Sequence, residues 1–152
     1  MITQKDNIML KMFFLLLIAI SPVDFVYSQN RIIKGLVIDE TYLAPIIEAS
    51  IILNDSIDIG KTGKDGRFQF ETTSPVFKLT VESLGMDDAE LEISEECNNI
   101  ELIMINSWVH GSVSLQKRDY ENLPRLHKEA YEKGIFQSPE ICYKRKFPEF
   151  SK

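Results

Sequence analysis

Two histidines, two cysteines and one tryptophan are all the chain has of those types in 152 residues. That scarcity excludes much chemistry. Structural zinc sites use closely spaced ligand pairs. Here Cys97, His110, His127 and Cys142 follow one another at separations of 13, 17 and 15, so a Cys2His2 centre is not expected. A zinc carboxypeptidase needs His and Glu spaced to share one metal. Three places after His127 stands Ala130, and three after His110 stands Val113. No Gly-x-Ser-x-Gly elbow occurs, and that elbow is the mark of one large hydrolase class. Tyr120, Tyr131 and Tyr143 form a nominal iron set with the histidines, but they lie in the tail rather than on strands. No metal, no cofactor and no catalytic residue is expected.

Long apolar runs are equally scarce. Met12 to Ile20 is an unbroken run of nine residues, too short for a membrane-spanning helix of about 20 but suited to the core of a secretory signal. Lys11 precedes it, Ser21-Pro22 follows, and Val26-Tyr27-Ser28 fits a cleavage site before Gln29. Residues 1–28 are therefore expected to be a signal peptide, with an N-terminal anchor as the alternative. Met1 to Ile8 is polar, and translation from Met9 gives a tidier signal. The absence of Cys near the cleavage point argues against a lipoprotein. The reading is export to the periplasm or cell surface, without stable membrane insertion after cleavage.

Positive charge is short in the body of the mature chain. Gln29 to Gln116 carries six Lys/Arg against fifteen Asp/Glu, a net of −9, while residues 117–152 carry nine against six, a net of +3. An acidic body disfavours nucleic acid and anionic membrane as partners. The basic tail is expected to dock on its own acidic body. In an exported chain the two cysteines suggest a disulfide, Cys97 to Cys142, with two unpaired thiols as the alternative. The loop it closes holds 46 residues, corresponding to about 4 kcal/mol on the chain-entropy model.

From Arg31 to Ile105 the dominant period is two. Ile33-x-Gly35-x-Val37, Ala49-x-Ile51-x-Leu53, Phe68-x-Phe70, Phe77-x-Leu79-x-Val81, Ala89-x-Leu91-x-Ile93 and Ile100-x-Leu102-x-Met104 each present one apolar face, the pattern of half-buried strands. A short strand near Ile57 to Lys61 brings the count to seven. Pro45, Asp65-Gly66, Ser74-Pro75, Gly85 and Asn98-Asn99 supply turns. Residues 29–106 are expected to form an all-β, seven-stranded antiparallel sandwich. Trp108 to Leu115 also alternates, but Gly111 and the serines weaken an eighth strand there.

Leu36, Ile38, Ile52, Ile103 and Ile105 fall on the outward faces, and such an apolar patch needs a cover or a partner. The extension 107–152 can supply the cover. Asn122 to Gly134 reads as a helix, with Asn122 as cap, Pro124 in the first turn and Gly134 as stop. Leu123, Leu126 and Ala130 follow helical spacing. An exposed helix that binds another protein is the alternative.

The stretch GKTGKDGRFQF, Gly60 to Phe70, resembles the end of a nucleotide-binding loop, but that motif requires a Gly where Asp55 stands and a long helix afterwards. Asp65-Gly66 fits a tight hairpin turn instead. Glu82, Glu90, Glu92 and Glu101 are expected on outer strand faces. With Lys128 and Lys133 of the helix they form a candidate partner surface, a calcium or cationic-partner site being one reading and a solvated face the other. Asp55-Ser56-Ile57 is similar to a bacterial O-glycosylation acceptor, and Asn54-Asp55-Ser56 matches the N-glycosylation sequon.

The ordered set Ile33-x-Gly35-x-Val37-x-Asp39, Pro45-Ile46, Ala49-Ser50-Ile51, Gly60-x-Thr62, Asp65-Gly66-x-Phe68 and Leu84-Gly85-Met86 resembles the carboxypeptidase-regulatory-like family. The resemblance covers about Arg31 to Ile105. Glu48 stands where that family has Gly, Gly63 where it has Asp, and Met86 where it has an aromatic. The resemblance implies a prealbumin-like Greek-key sandwich without catalytic residues. It also implies company, because such domains accompany secreted carboxypeptidases and outer-membrane TonB-dependent receptors. The expected role is a non-catalytic binding or structural module of the cell envelope. An accessory subunit recognising an outer-membrane transporter or secreted enzyme is the second reading, and an enzyme of unrecognised type the third.

Overall fold

Alternating apolar residues become strands wherever a second sheet is present to cover one face, and here two sheets cover each other. The computed structural model describes residues 30–107 and 113–148; the expected signal segment and its start codon lie outside them. The strands are β1 (Arg31–Asp39), β2 (Ser50–Leu53), β3 (Ile57–Lys61), β4 (Arg67–Thr72), β5 (Phe77–Glu82), β6 (Ala89–Ile93), β7 (Asn99–Met104) and β8 (Tyr143–Arg145), with helix α1 (Val113–Glu132) between the last two. One sheet runs β4-β1-β7 and the other β3-β2-β5-β6-β8. Ile33, Val37, Ile100 and Leu102 of the first meet Ile51, Leu79, Val81, Leu91 and Ile93 of the second in one buried core. Each such side chain contributes about 1.5–3 kcal/mol when fully buried.

Two features depart from the expected seven antiparallel strands. The described residues hold eight, the last drawn from the tail, and β1 pairs with β7 in parallel, Gly35 opposite Ile100 and Val37 opposite Leu102. Period two reports a buried face and is silent on strand direction. β8 is three residues long, and a segment that short is read only through its neighbour β6, where Ile93 faces Tyr143 and Leu91 faces Arg145.

The smaller sheet is buried on both sides, which explains the continuous apolar runs of β1 and β7. Its reverse face presents Leu36, Ile38, Ile103 and Ile105, and Tyr120, Leu123, Leu126 and Ala130 of α1 cover them together with Phe136. Ile52 belongs to the other sheet and stays partly exposed near Glu82 and Glu90. The helix begins well before Asn122. Asn122 sits mid-helix with its Oδ1 accepting from Arg125 Nε at 2.7 Å, and Pro124 lies inside the helix rather than in its first turn. A mid-helix proline removes one backbone hydrogen bond and crowds the preceding turn, but the apolar stripe on both sides of it is held on the sheet. Residues 108–112 lie outside the described set, and from Val113 onward the chain is helical rather than a strand.

The turn at Asp65-Gly66 joins two sheets. It is not a hairpin, because β3 and β4 belong to different sheets. The Gly63 amide donates to the Arg67 carbonyl at 2.8 Å, Asp65 Oδ1 accepts from the Arg67 amide, and the Gly66 carbonyl accepts from Val37 of β1. Gly66 has φ 72, and a Cβ there would lie 2.6 Å from the Val37 carbonyl oxygen, so only glycine fits.

Candidate functional site

The tail after α1 is tied back at four points. Gly134 (φ 73) ends the helix, with Ile135 donating to the Ala130 carbonyl. Glu101, which alternation along β7 turns toward the helix side, is buried, and its two oxygens accept the Gln137 and Ser138 amides at 2.5 and 3.1 Å. A disulfide joins Cys97 to Cys142. Tyr143 then donates its hydroxyl to the Glu101 carbonyl at 2.9 Å, and β8 adds to the edge of β6. Strand alternation puts Tyr143 and Arg145 on one face.

This return leaves a cleft of about 580 Å³ between α1, β7 and β8, walled by Ile103, Tyr120, Leu123, Pro124, Ile141, Tyr143 and Phe147. Its size is that of a small-molecule pocket, commonly about 300–1,000 Å³. Arg145 supplies its cationic wall, with Lys144, Glu121 and His127 also lining it. The Arg145 guanidinium stacks 5.3 Å from the Tyr120 ring centre and donates Nη1 to the Ile103 carbonyl. Its Nε and Nη2 are enclosed and have no hydrogen-bond partner among the described residues. Burial draws the Arg145 pKa below its usual range, with Tyr120, Tyr143 and Asp87 opposing; a guanidinium nonetheless stays charged in proteins.

The phenols beside it are neutral. Burial pushes Tyr120 up to about 12 against the pull of Arg145, with Asp87 adding to the rise. Burial likewise raises Tyr143. The Tyr120 hydroxyl donates to Asp87 Oδ2 at 3.2 Å, beside Gln116 at 3.0 Å, and Phe147 meets its ring edge-to-face. His127, 3% exposed, shares a hydrogen bond with the Ser138 carbonyl at 3.1 Å and packs on Phe136. Burial lowers its pKa, with the Ser138 carbonyl and Glu101 opposing.

The residues expected at a partner surface do not converge. Glu82 and Glu92 are exposed on the large sheet. Glu90 sits between Lys78 and Lys146 at 3.0 and 3.1 Å, and those two ammonium groups lower its pKa, Lys78 first. Glu101 does lie on the outer strand face, but the tail covers it; it is 4% exposed and accepts the Gln137 and Ser138 amides instead of facing a partner. Lys128 pairs with Glu132 and Lys133 with Glu129 along the helix. Asp65 and Gly66 make the inter-sheet turn. In the nominal metal set the sulfurs are bonded to each other, His127 is bonded to backbone, and His110 lies outside the described residues. Among the described residues no cluster of His, Cys, Asp and Glu is placed to hold a metal ion.

Arg145, Tyr120 and Tyr143 were not singled out as one site by sequence reasoning. The one available signal was the alternating Tyr143-x-Arg145 pair in a tail otherwise poor in pattern. The site thus belongs to a β-rich, two-sheet protein with a helical cover and one disulfide, in which no described helix is long and apolar enough to cross a membrane. No protein-family model and no curated protein matches the chain.

Proposed function

We propose that the chain is an exported, non-catalytic binding module of the bacterial cell envelope, built on a prealbumin-like Greek-key sandwich of the carboxypeptidase-regulatory-like kind. The observation that carries the binding role is the cleft between α1 and β8. It is concave and mostly apolar, with the Arg145 guanidinium on its wall, the composition expected of a ligand site. The backbone at Glu48, where the resembling family has Gly, has φ 60, the conformation glycine would supply, and this supports the kinship.

Fractionation of native cells tests the reading. The expected result is a mature chain beginning at Gln29 in the envelope or outside the cell, inert toward peptide, ester and glycoside substrates. An unprocessed cytoplasmic chain, or hydrolytic turnover abolished by one substitution, overturns it.

A further inference from the structure

Four strands form the edges of the two sheets, β4 and β7 of one and β3 and β8 of the other. The outer side of β7 is closed by tail side chains. Tyr143 donates its hydroxyl to the Glu101 carbonyl at 2.9 Å, and Arg145 donates Nη1 to the Ile103 carbonyl at 2.6 Å. β3 stays open by comparison. Four of its five residues are exposed, and Ile57 at its start is 52% exposed. An open edge carrying an apolar residue invites pairing with another chain, and folded proteins blunt such edges.

The turn that leads into β3 is Asn54-Asp55-Ser56, with Leu53 paired to Ile57 across it. Asp55 is the one Asp in the sequence followed by Ser or Thr, and Asn54 is the one Asn that begins a sequon. Two acceptor motifs therefore overlap in one turn, and all three of its residues are exposed. Their side chains are not equally available. Asn54 is folded back on β5: its Oδ1 accepts the Lys78 amide at 3.0 Å, and its own amide donates to the Lys78 carbonyl at 2.9 Å. Using Asn54 Nδ2 as an acceptor would require that carboxamide to leave the strand. Ser56 is held far less, its hydroxyl donating to the Asn54 carbonyl at 3.3 Å. Asp55 is fixed by Lys78 Nζ at 2.7 Å, yet its side chain stays 63% exposed.

We propose that Ser56 is the acceptor of an O-linked glycan, with Asp55 and Ile57 read by the transferase on either side of it. This rests on the export reading above and adds a covalent modification. The Ser56 oxygen attacks the anomeric carbon of a glycosyl diphosphate donor. A C1–Oγ bond forms, the bond from C1 to the phosphate oxygen breaks, and the diphosphate leaves with that electron pair. The hydroxyl proton passes to a base of the transferase. The sugar so placed is bulky and solubilising, and it stands at the head of the open strand beside Ile57.

Mass spectrometry of the chain purified from cells that naturally export it tests this. The intact mass is expected to exceed that of Gln29–Lys152 by one or more sugar residues. Fragmentation of the tryptic peptide Gly35–Lys61 is expected to place them on Ser56 rather than on Thr41, Ser50 or Asn54. Ser56→Ala is expected to remove the added mass and Ser56→Thr to keep it. Asp55→Ala leaves the hydroxyl in place and is expected to lose the glycan, whereas Asn54→Gln retains it. An exported chain without added mass overturns the proposal, as does sugar on Asn54, Thr41 or Ser50 in place of Ser56. So does added mass that survives Ser56→Ala or Asp55→Ala. All of these outcomes are read on chain already processed at Gln29, so the export reading stands where this one fails; an unprocessed chain fails the export reading itself.

Discussion

The Thr62 hydroxyl donates to the Ile46 carbonyl at 2.7 Å and accepts the Ala49 amide at 2.9 Å. Thr62 is 1% exposed, and its own amide and carbonyl bond Ala49 and Glu48. The threonine of Gly60-Lys61-Thr62, which resembles a phosphate-binding residue in sequence, is thus a clasp on the loop before β2. Thr62→Val keeps the shape and strands one donor and one acceptor, each worth about 1–3 kcal/mol when buried. Urea unfolding is expected to show a loss of about 3 kcal/mol, and Thr62→Ser a smaller one. A neutral Thr62→Val would show that the clasp is dispensable.

Glu48 holds a left-handed backbone at φ 60, where a side chain costs about 1 kcal/mol or more. Its pair with Lys61 at 3.6 Å is exposed and contributes little. Glu48→Gly is expected to raise stability by about 1 kcal/mol, whereas Glu48→Ala gains nothing. The two midpoints in one urea series decide it.

Glu101 is the post to which the tail is tied, through the Gln137 and Ser138 amides. In Glu101→Gln one acceptor becomes an NH2 group facing an N–H donor. A loss of about 2 kcal/mol is expected, with hydrogen exchange rising first over Gln137 to Arg145. Uniform exchange changes across both sheets would place the role of Glu101 elsewhere.

His127 sets an acid limit. Its folded pKa lies below the usual 6.5 because burial disfavours the charged ring. The unfolded chain therefore takes up the proton first as pH falls, and the stability contributed by neutral His127 is complete above about 6.5 and lost as pH falls through the folded value. Thermal midpoints measured from pH 7.5 down to 5.0 are expected to decline in this window. His127→Gln flattens that decline; an identical slope in the variant excludes His127 as its source.

Reduction of Cys97–Cys142 opens a loop spanning 45 positions. The chain-entropy model gives at most about 4 kcal/mol for it. Cys97→Ser with Cys142→Ser is expected to lose about 2–4 kcal/mol, and β8 is expected to fray from β6. Exported protein in which both thiols alkylate without reductant would contradict the bond.

Much of the architecture was legible because burial on one side of a strand leaves a period-two trace. Ile33 and Val37, or Leu79 and Val81, declare a shared face within a few residues of chain. The outward Leu36, Ile38, Ile103 and Ile105 declared that something must cover them, and the amphipathic stripe of Leu123, Leu126 and Ala130 was the available cover. Helix length was misread at Asn122 and Pro124, because local cap and breaker signals weigh less than an apolar stripe pressed on a sheet. The hairpin reading of Asp65-Gly66 failed for a related reason: a tight turn fixes the local backbone but not which sheet receives the next strand.

By itself, then, the sequence suggested the pairing of the two cysteines, and it determined the strand faces, a turn at Asp65-Gly66, and an amphipathic segment able to cover an apolar face. These are properties of short stretches, written in periodicity and backbone freedom. Only the tertiary structure decided that β1 and β7 lie parallel, that the tail covers Glu101, and that Arg145 stacks on Tyr120. Each of those joins residues 25 or more positions apart. Such meetings are set by how layers pack and where a tail is anchored, and no local pattern encodes them.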